Sequence, residues 1–305
     1  MYYSRNLIGA DKSAVTPKDA SGIFDLRSQE KHQRHQNWPG SVNNYLTYTI
    51  NYSGTAFDVR QNGSNSISID WGDGSSEVSN ETSVTHTYSS NGIYKIKINT
   101  TLGSTFYRPN FSSVSSASRN QLIKIEIGRY VKDSLDSSFR DCSNLEEIIA
   151  PAISFSSVNN FRRTFRGCSS LKVFPLIETK NVGSFENFCY GCTSLTAFPK
   201  LDFTAGFKFT GAWNGCTSLA DFPPKMFDKT GDFTNTNNFA TAWRSCALTA
   251  QSIENILVSL DTNGDTSVSL GIDGGTNAAY STWSQAAKDA LTSLQGKSWT
   301  VTYNS

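Results

Sequence analysis

Apolar and polar residues alternate along three stretches between residues 43 and 102. The apolar members are Leu46, Tyr48, Ile50 and Tyr52, then Ile67, Ile69 and Trp71, then Tyr94, Ile96 and Ile98. A period of two turns every second side chain to one face, and Gly, Asn and Ser between the runs favour turns. This region is expected to form antiparallel strands with one buried face. From residue 103 the period lengthens. Cys142, Cys168, Cys192 and Cys216 lie 26, 24 and 24 residues apart. Three positions after each stands Leu145, Leu171, Leu195 or Leu219, and six after it Ile148, Phe174, Phe198 or Phe222. Three positions before come Phe139, Phe165, Cys189 and Trp213, and Pro175, Pro199 and Pro223 share a further position. Self-similarity at this spacing predicts stacked units that share one core.

Two further units bracket these four. Leu122 and Ile125 fit the frame upstream with Arg119 in place of the cysteine. Downstream, Trp243 and Cys246 fit but Leu248 falls one place early, as in a cap. Beyond it, Ile253, Ile256, Leu257 and Leu260 follow helical spacing behind a Thr249 cap. A turn is predicted over Gly271–Gly275, a second helix over Ser281–Leu294 closed by Gly296, and a last strand through Trp299, Val301 and Tyr303.

Residues 1–42 differ from both regions. Asp25 can cap a mostly polar helix to about Gln36, with Glu30 and Arg34 four apart on one face, and Pro39-Gly40 ends it. Its apolar residues, Ile23, Phe24, Leu26 and Trp38, stand only at its ends, so it buries little alone and is expected to order by docking elsewhere. Phe24, Leu26, Arg34 and Trp38 are the anchoring candidates.

Two motifs resemble known families. Ile69-Asp-Trp-Gly-Asp-Gly74, Thr85-His-Thr-Tyr88 and Asn91-Gly-Ile-Tyr94 resemble the PKD family of immunoglobulin-like sandwiches over about sixty residues. The resemblance implies a spacer or adhesion module without a catalytic role. Phe165-Arg-Gly-Cys-Ser-Ser-Leu-Lys-Val-Phe-Pro175 resembles the BspA-type leucine-rich repeat, over most of residues 105–260. The ending resembles the closing unit of BspA-type repeat proteins in marine phage and bacteroidete genomes, and the arm's Asn-Trp-Pro39 resembles segments of phage structural proteins. The expected fold is therefore mainly β and multidomain. An arm (1–42) precedes a PKD-like β-sandwich (43–102) and a short leucine-rich-repeat solenoid (103–305) with a helix-containing cap from about 247.

Composition narrows the function. Of 305 residues 37% are hydrophobic and 17% charged, a globular balance, with 19 Phe and 12 Tyr favouring strands. A net charge of +1 without a basic run argues against nucleic acid as partner. No run of about 18 apolar residues suggests membrane insertion, and Met1–Leu7 lacks a signal-peptide pattern. Six cysteines are too sparse for a disulfide scaffold and are expected as reduced, buried thiols.

Candidate chemistry is thin. Cys189 and Cys192 form a CxxC, but no second pair is present for zinc, and in the repeat frame Cys189 simply replaces a Phe or Trp. His32 and His35, three apart on the arm helix, have no further ligand nearby. Asp70 and Asp73 are better placed to cap turn amides than to bind calcium. Asp261–Asp265 departs from an EF-hand loop at the Gly and at Ile272. No triad and no phosphate loop is evident, and the repeats carry no matched carboxylates for a depolymerase. Neither a catalytic residue nor a cofactor or metal is expected. Among the repeat aromatics, Tyr190, Phe207 and Trp213 are the recognition candidates, with a core position the stronger reading for Trp213.

The resemblances together imply a non-enzymatic phage virion protein on the particle surface: a tail fibre, tail-tip adhesin or capsid fibre contributing to host attachment. Its implied partners are other virion proteins through the arm and a host-surface receptor or glycan, with a homo-oligomer open, and its implied place is the virion, assembled in the host cytoplasm. The alternatives are an architectural decoration or cement protein without a receptor, and a bacterial BspA-type surface adhesin.

Overall fold

Tyr45–Tyr52, the first strand β1, decides how the chain is assembled. In the computed structural model, which describes residues 45–62, 66–100, 108–128, 134–151, 155–231, 233 and 237–305, β1 pairs antiparallel on both edges. One partner is β6 (Gly92–Thr100) and the other is β7 (Leu122–Ile127). With β3 (Ile67–Asp70), β4 (Ser76–Ser79) and β8 (Glu147–Ile149) they form one sheet in the order β4-β3-β6-β1-β7-β8. A second layer holds β2 (Phe57–Arg60) paired with β5 (Ser83–His86). The two layers meet where Tyr48 of β1 touches Phe57 of β2, ring centroids 6.4 Å apart. The alternation read from the sequence accounts for Leu46, Tyr48, Ile50 and Tyr52, all buried. Thr47 and Thr49 are buried too. They face Lys97 and Lys95 of β6 and Glu126 and Lys124 of β7 in register, and the longer neighbours cover them.

Among the described residues the protein is mainly β, with ten strands and few helices. Asn44–Ser305 form one compact unit. The sheet therefore runs across residue 102/103: β7 pairs with β1 on one side and, in parallel, with β8 on the other. The expected arm helix, with Phe24, Leu26, Arg34 and Trp38, lies outside the described residues, as do His32 and His35.

Beyond β8 the chain winds in stacked coils. Parallel bridges link Ser134, Asn160, Ser184 and Lys208, each eight residues before its cysteine, and a second set links Val173, Ala197 and Asp221, each five after. Equivalent amides and carbonyls bond from coil to coil, as from Phe139 N to Thr164 O, Phe165 N to Phe188 O, Cys189 N to Ala212 O and Trp213 N to Ala242 O. Each coil turns twice through a left-handed residue, five positions and one position before the cysteine: Ser137 and Asp141, Arg163 and Gly167, Asn187 and Gly191, Gly211 and Gly215, Thr241 and Ser245. Glycine holds that conformation at little cost, which accounts for the Gly-Cys pairs of three successive repeats.

Rows of like side chains fill the interior. Phe185, Phe209 and Phe239 stack at 5.2 and 5.0 Å, Phe174, Phe198 and Phe222 at 5.5 and 5.7 Å, and Trp213 on Trp243 at 5.0 Å. The cysteines form a ladder. Cys168, Cys192, Cys216 and Cys246 each donate from Sγ to a carbonyl of the preceding coil, at 3.1–3.2 Å, onto Phe139, Phe165, Cys189 and Trp213 respectively. All six thiols are free and buried. Burial pushes Cys246 up to about 12, and Cys142 and Cys168 above their ordinary value, because a thiolate would lose its hydration there.

The two ends are closed differently. At the first, a short helix α1 (Ser116–Arg119) replaces a full coil, and half-buried Arg119 donates to Val114 O at 3.2 Å instead of entering the thiol ladder. At the other end, helix α2 (Ala250–Asn263), capped by Thr249 as expected, presents Ile253, Ile256, Leu257 and Leu260 to the core. Its polar residues satisfy the last coil: Ser252 donates to Ala220 O and accepts from Phe222 N, Asn255 donates to Phe222 O, and Ser259 accepts from Phe227 N. Gly271 and Ile272 belong to strand β9 (Ser269–Ile272), so the expected turn is confined to the residues around Gly274 and Gly275, both left-handed. The stack claims that strand, since Trp243 N donates to Gly271 O and Gly271 N to Phe239 O. Strand β10 (Thr300–Tyr303) pairs parallel with β9. Helix α3 (Gln285–Gly296) starts at a Ser284 cap and runs through Gly296, which therefore does not close it.

Candidate recognition surface

The three sequence-nominated aromatics fall in different places. Trp213 is fully buried, between Trp243 and Phe209 in the stacked rows, so it does not belong to any surface. The correction follows from the repeat frame, because the position three before the cysteine points inward in every coil. Tyr190 stands two before its cysteine and is 36% exposed, and Phe207 is 48% exposed. Phe207 N donates to Gly183 O at 2.9 Å, and the ring lies against Gly183 so closely that a Cβ there would meet it at 2.5 Å. No ring contact joins Tyr190 to Phe207 among the described residues.

Tyr190 has company that sequence inspection passed over. The position two before the cysteine holds Arg140, Arg166, Tyr190, Asn214 and Arg244 in successive coils, a row of intermediate to exposed residues along the stack. The Arg166 guanidinium lies 5.0 Å from the Tyr190 ring centroid, a cation–π contact that fixes both side chains. The flanking arginines are held by carboxylates: Arg140 Nε to Asp141 Oδ2 at 3.1 Å, and Arg244 Nε to Asp273 Oδ2 at 3.1 Å. Arginine paired with an aromatic suits planar or anionic partners. The frame that places the cysteines indexes this row as well, but its residues are polar and add nothing to the apolar periodicity.

A second row is ionic. Asp136, Arg162, Glu186 and Lys208 run through four coils, with contacts of 3.4, 3.4 and 2.6 Å. Burial works to raise the Glu186 carboxyl, yet Lys208 and Arg162 hold it below the ordinary carboxylate range. These charges satisfy one another along the stack.

In the double-layered region, the motif residues are spent on one another. Asp70 and Asp73 accept from the amides of Gly72 and Ser75 at 3.0 and 2.9 Å. Asp73 Oδ2 sits 2.8 Å from His86 Nε2, His86 stacks on Trp71 at 4.6 Å, and Tyr88 donates to Trp71 O at 2.9 Å. The hydrogen bonds from Ser75 and His86 lower the Asp73 carboxyl to about 2. In the EF-hand-like segment, Asp261 binds Lys297 at 2.7 Å and Asp265 accepts from Phe233 N at 3.0 Å. The carboxylates of both motifs thus brace local structure.

Searches of protein-family models, curated proteins and solved structures each returned no match to this chain.

Proposed function

We propose that this chain is a non-enzymatic phage virion protein exposed on the particle surface, with a PKD-like sandwich joined to a BspA-type leucine-rich-repeat solenoid. The arm of residues 1–42 docks on other virion proteins, and the coil stack contributes to host attachment. The observation that carries the binding role is the row Arg140, Arg166, Tyr190, Asn214 and Arg244. The interior rows make the stack stiff, and this row runs along its outside, with a preformed arginine–tyrosine pair at its centre. Extended, regular faces of this kind favour recognition over chemistry. The virion assignment is supported by the motif resemblances of the arm and the closing unit.

The test compares the full-length chain with one lacking residues 1–42, each offered to particles devoid of this protein and, separately, to host cells. The proposal expects truncation to abolish particle binding while both chains bind cells. If neither chain binds cells and only the full-length one decorates particles, attachment fails and an architectural decoration role replaces it.

A further inference from the structure

We infer that the groove between the loops of two neighbouring coils, residues 200–204 and 225–229, binds a carboxylated saccharide. The hollow is about 600 Å³, and Lys200, Lys225 and Lys229 line it together with Asp202 and Asp228. Phe203 and Met226, both buried, form part of its floor.

The lysines of this groove differ from four other lysines of the sheet-and-coil stack. Lys124, Lys172, Lys180 and Lys208 each lie within 4 Å of a carboxylate, at 3.0, 3.7, 2.7 and 2.6 Å. Lys200, Lys225 and Lys229 are exposed and make no ion pair among the described residues. Both aspartates are held by hydroxyl donors. Thr204 donates its amide and hydroxyl to Asp202 Oδ1 at 2.9 and 2.5 Å, and Ser259 donates to Asp228 Oδ1 at 2.5 Å. Oδ2 of each carboxylate has no hydrogen-bond or ion-pair partner among the described residues. Lys225 holds a left-handed backbone, φ 58°, a conformation that glycine adopts with less strain.

The ligand class follows from this mixture. A polyphosphate or sulfate-rich chain offers no hydroxyl donors and would leave the two aspartate acceptors unmatched. A neutral sugar would leave three ammonium groups without an anion. A saccharide that carries carboxylates among its hydroxyls answers both, with carboxylate to lysine and hydroxyl to aspartate Oδ2. The hollow is large enough for more than one sugar ring. As a host ligand this saccharide rests on the attachment role proposed above, whereas the groove's chemistry stands apart from it.

The experiment is a calorimetric titration of the full chain with tetragalacturonate, a mannuronate tetramer and trimeric sialic acid. Carboxyl-reduced tetragalacturonate and inorganic phosphate are the comparison arms. At least one carboxylated oligosaccharide should bind saturably, and the combined Lys200→Ala, Lys225→Gly and Lys229→Ala variant should bind it roughly tenfold more weakly. Lys225→Gly relaxes the backbone, so this single variant should keep its melting temperature while losing affinity. Failure of all three acids to bind overturns the inference, as does undiminished binding by the triple variant. Phosphate binding as tight as the sugar's would reduce the groove to a simple anion site and equally overturn it. Cell binding separates the two proposals. Cells bound equally by native chain and triple variant leave attachment standing and refute the groove as receptor site. Sugar binding without cell binding does the reverse.

Discussion

Replacing Gly271 with alanine probes the joint between the coil stack and its closing strand. Gly271 lies in β9, where an added Cβ would meet Thr241 N at 2.6 Å and Thr241 Cα at 2.7 Å. Its φ is not left-handed, so alanine fits the local backbone and the effect is purely the collision. Both contacts are with backbone, which no rotamer change relieves, and separation to ordinary van der Waals distance needs about 0.7–0.8 Å of movement. Overpacking of this kind costs about 1–3 kcal/mol. The same shift strains the bonds from Trp243 N to Gly271 O (2.9 Å) and from Gly271 N to Phe239 O (3.2 Å), each worth about 1 kcal/mol. A total of about 2–5 kcal/mol corresponds to a melting temperature lowered by about 5–15 °C for a unit of this size. Because stacked arrays can unfold from their ends, amide hydrogen exchange of β9 and β10 should rise before that of the inner coils. Gly296→Ala is the control: it sits at the end of α3 with open space around its Cβ position, and alanine there is expected to be neutral or to stabilise by up to about 1 kcal/mol. A Gly271→Ala chain that melts within 1 °C of the native one (about the scatter of such measurements) would refute the close approach of β9 to the stack.

The hydrogen bonds that Asp73 accepts, from Ser75 first and from His86 second, make a pH prediction. Asp73 titrates at about 2 in the folded chain against 3.8 ordinarily, so its contribution is complete above its ordinary value and is lost as pH falls towards about 2. Acid melting curves should flatten in Asp73→Asn between about pH 4 and 2, and an unchanged slope would remove the Ser75 and His86 bonds to this carboxylate as a source of acid sensitivity. Burial separates the aromatics. Trp213→Ala is expected to cost about 3–5 kcal/mol and Tyr190→Ala less than about 1 kcal/mol, measured by denaturant titration. Equal losses would contradict the inward position of Trp213.

The coil interior was largely legible because a repeat reports its own register. Once Cys142, Cys168, Cys192 and Cys216 are aligned, positions three and six residues beyond them must face the same way in every coil, and Leu171, Phe174 and their equivalents do so. That frame also argued that Cys189 replaces an aromatic in the core, where it lies buried. It served less well at the ends. Arg119 falls at the cysteine position of the frame, yet its carbonyl partner is the local Val114 and not an earlier coil among the described residues. Gly271 looked like part of a turn because glycine and aspartate favour turns, yet a strand was needed there to pair with Phe239 and Trp243. On α2 the helical spacing reveals the apolar face but not the role of the polar one. Ser252, Asn255 and Ser259 acquire meaning only opposite the unpaired groups of Ala220, Phe222 and Phe227.

Local spacing in the sequence was sufficient to determine three of the six strands of the first region (β1, β3 and β6), the coil period, the buried rows and the apolar side of α2, because regularities along the chain impose them. The short β2, β4 and β5 carry too few alternating positions to show. Tertiary structure alone decided that β1 lies between β6 and β7, so that one sheet continues into the stack, and that Phe207 rests on Gly183. It also decided that three lysines from two coils share one groove with two aspartates, with no ion pair to them among the described residues. Those outcomes depend on which distant segments meet, and strand pairing and charge neutralisation are settled between partners that one-dimensional periodicity does not name.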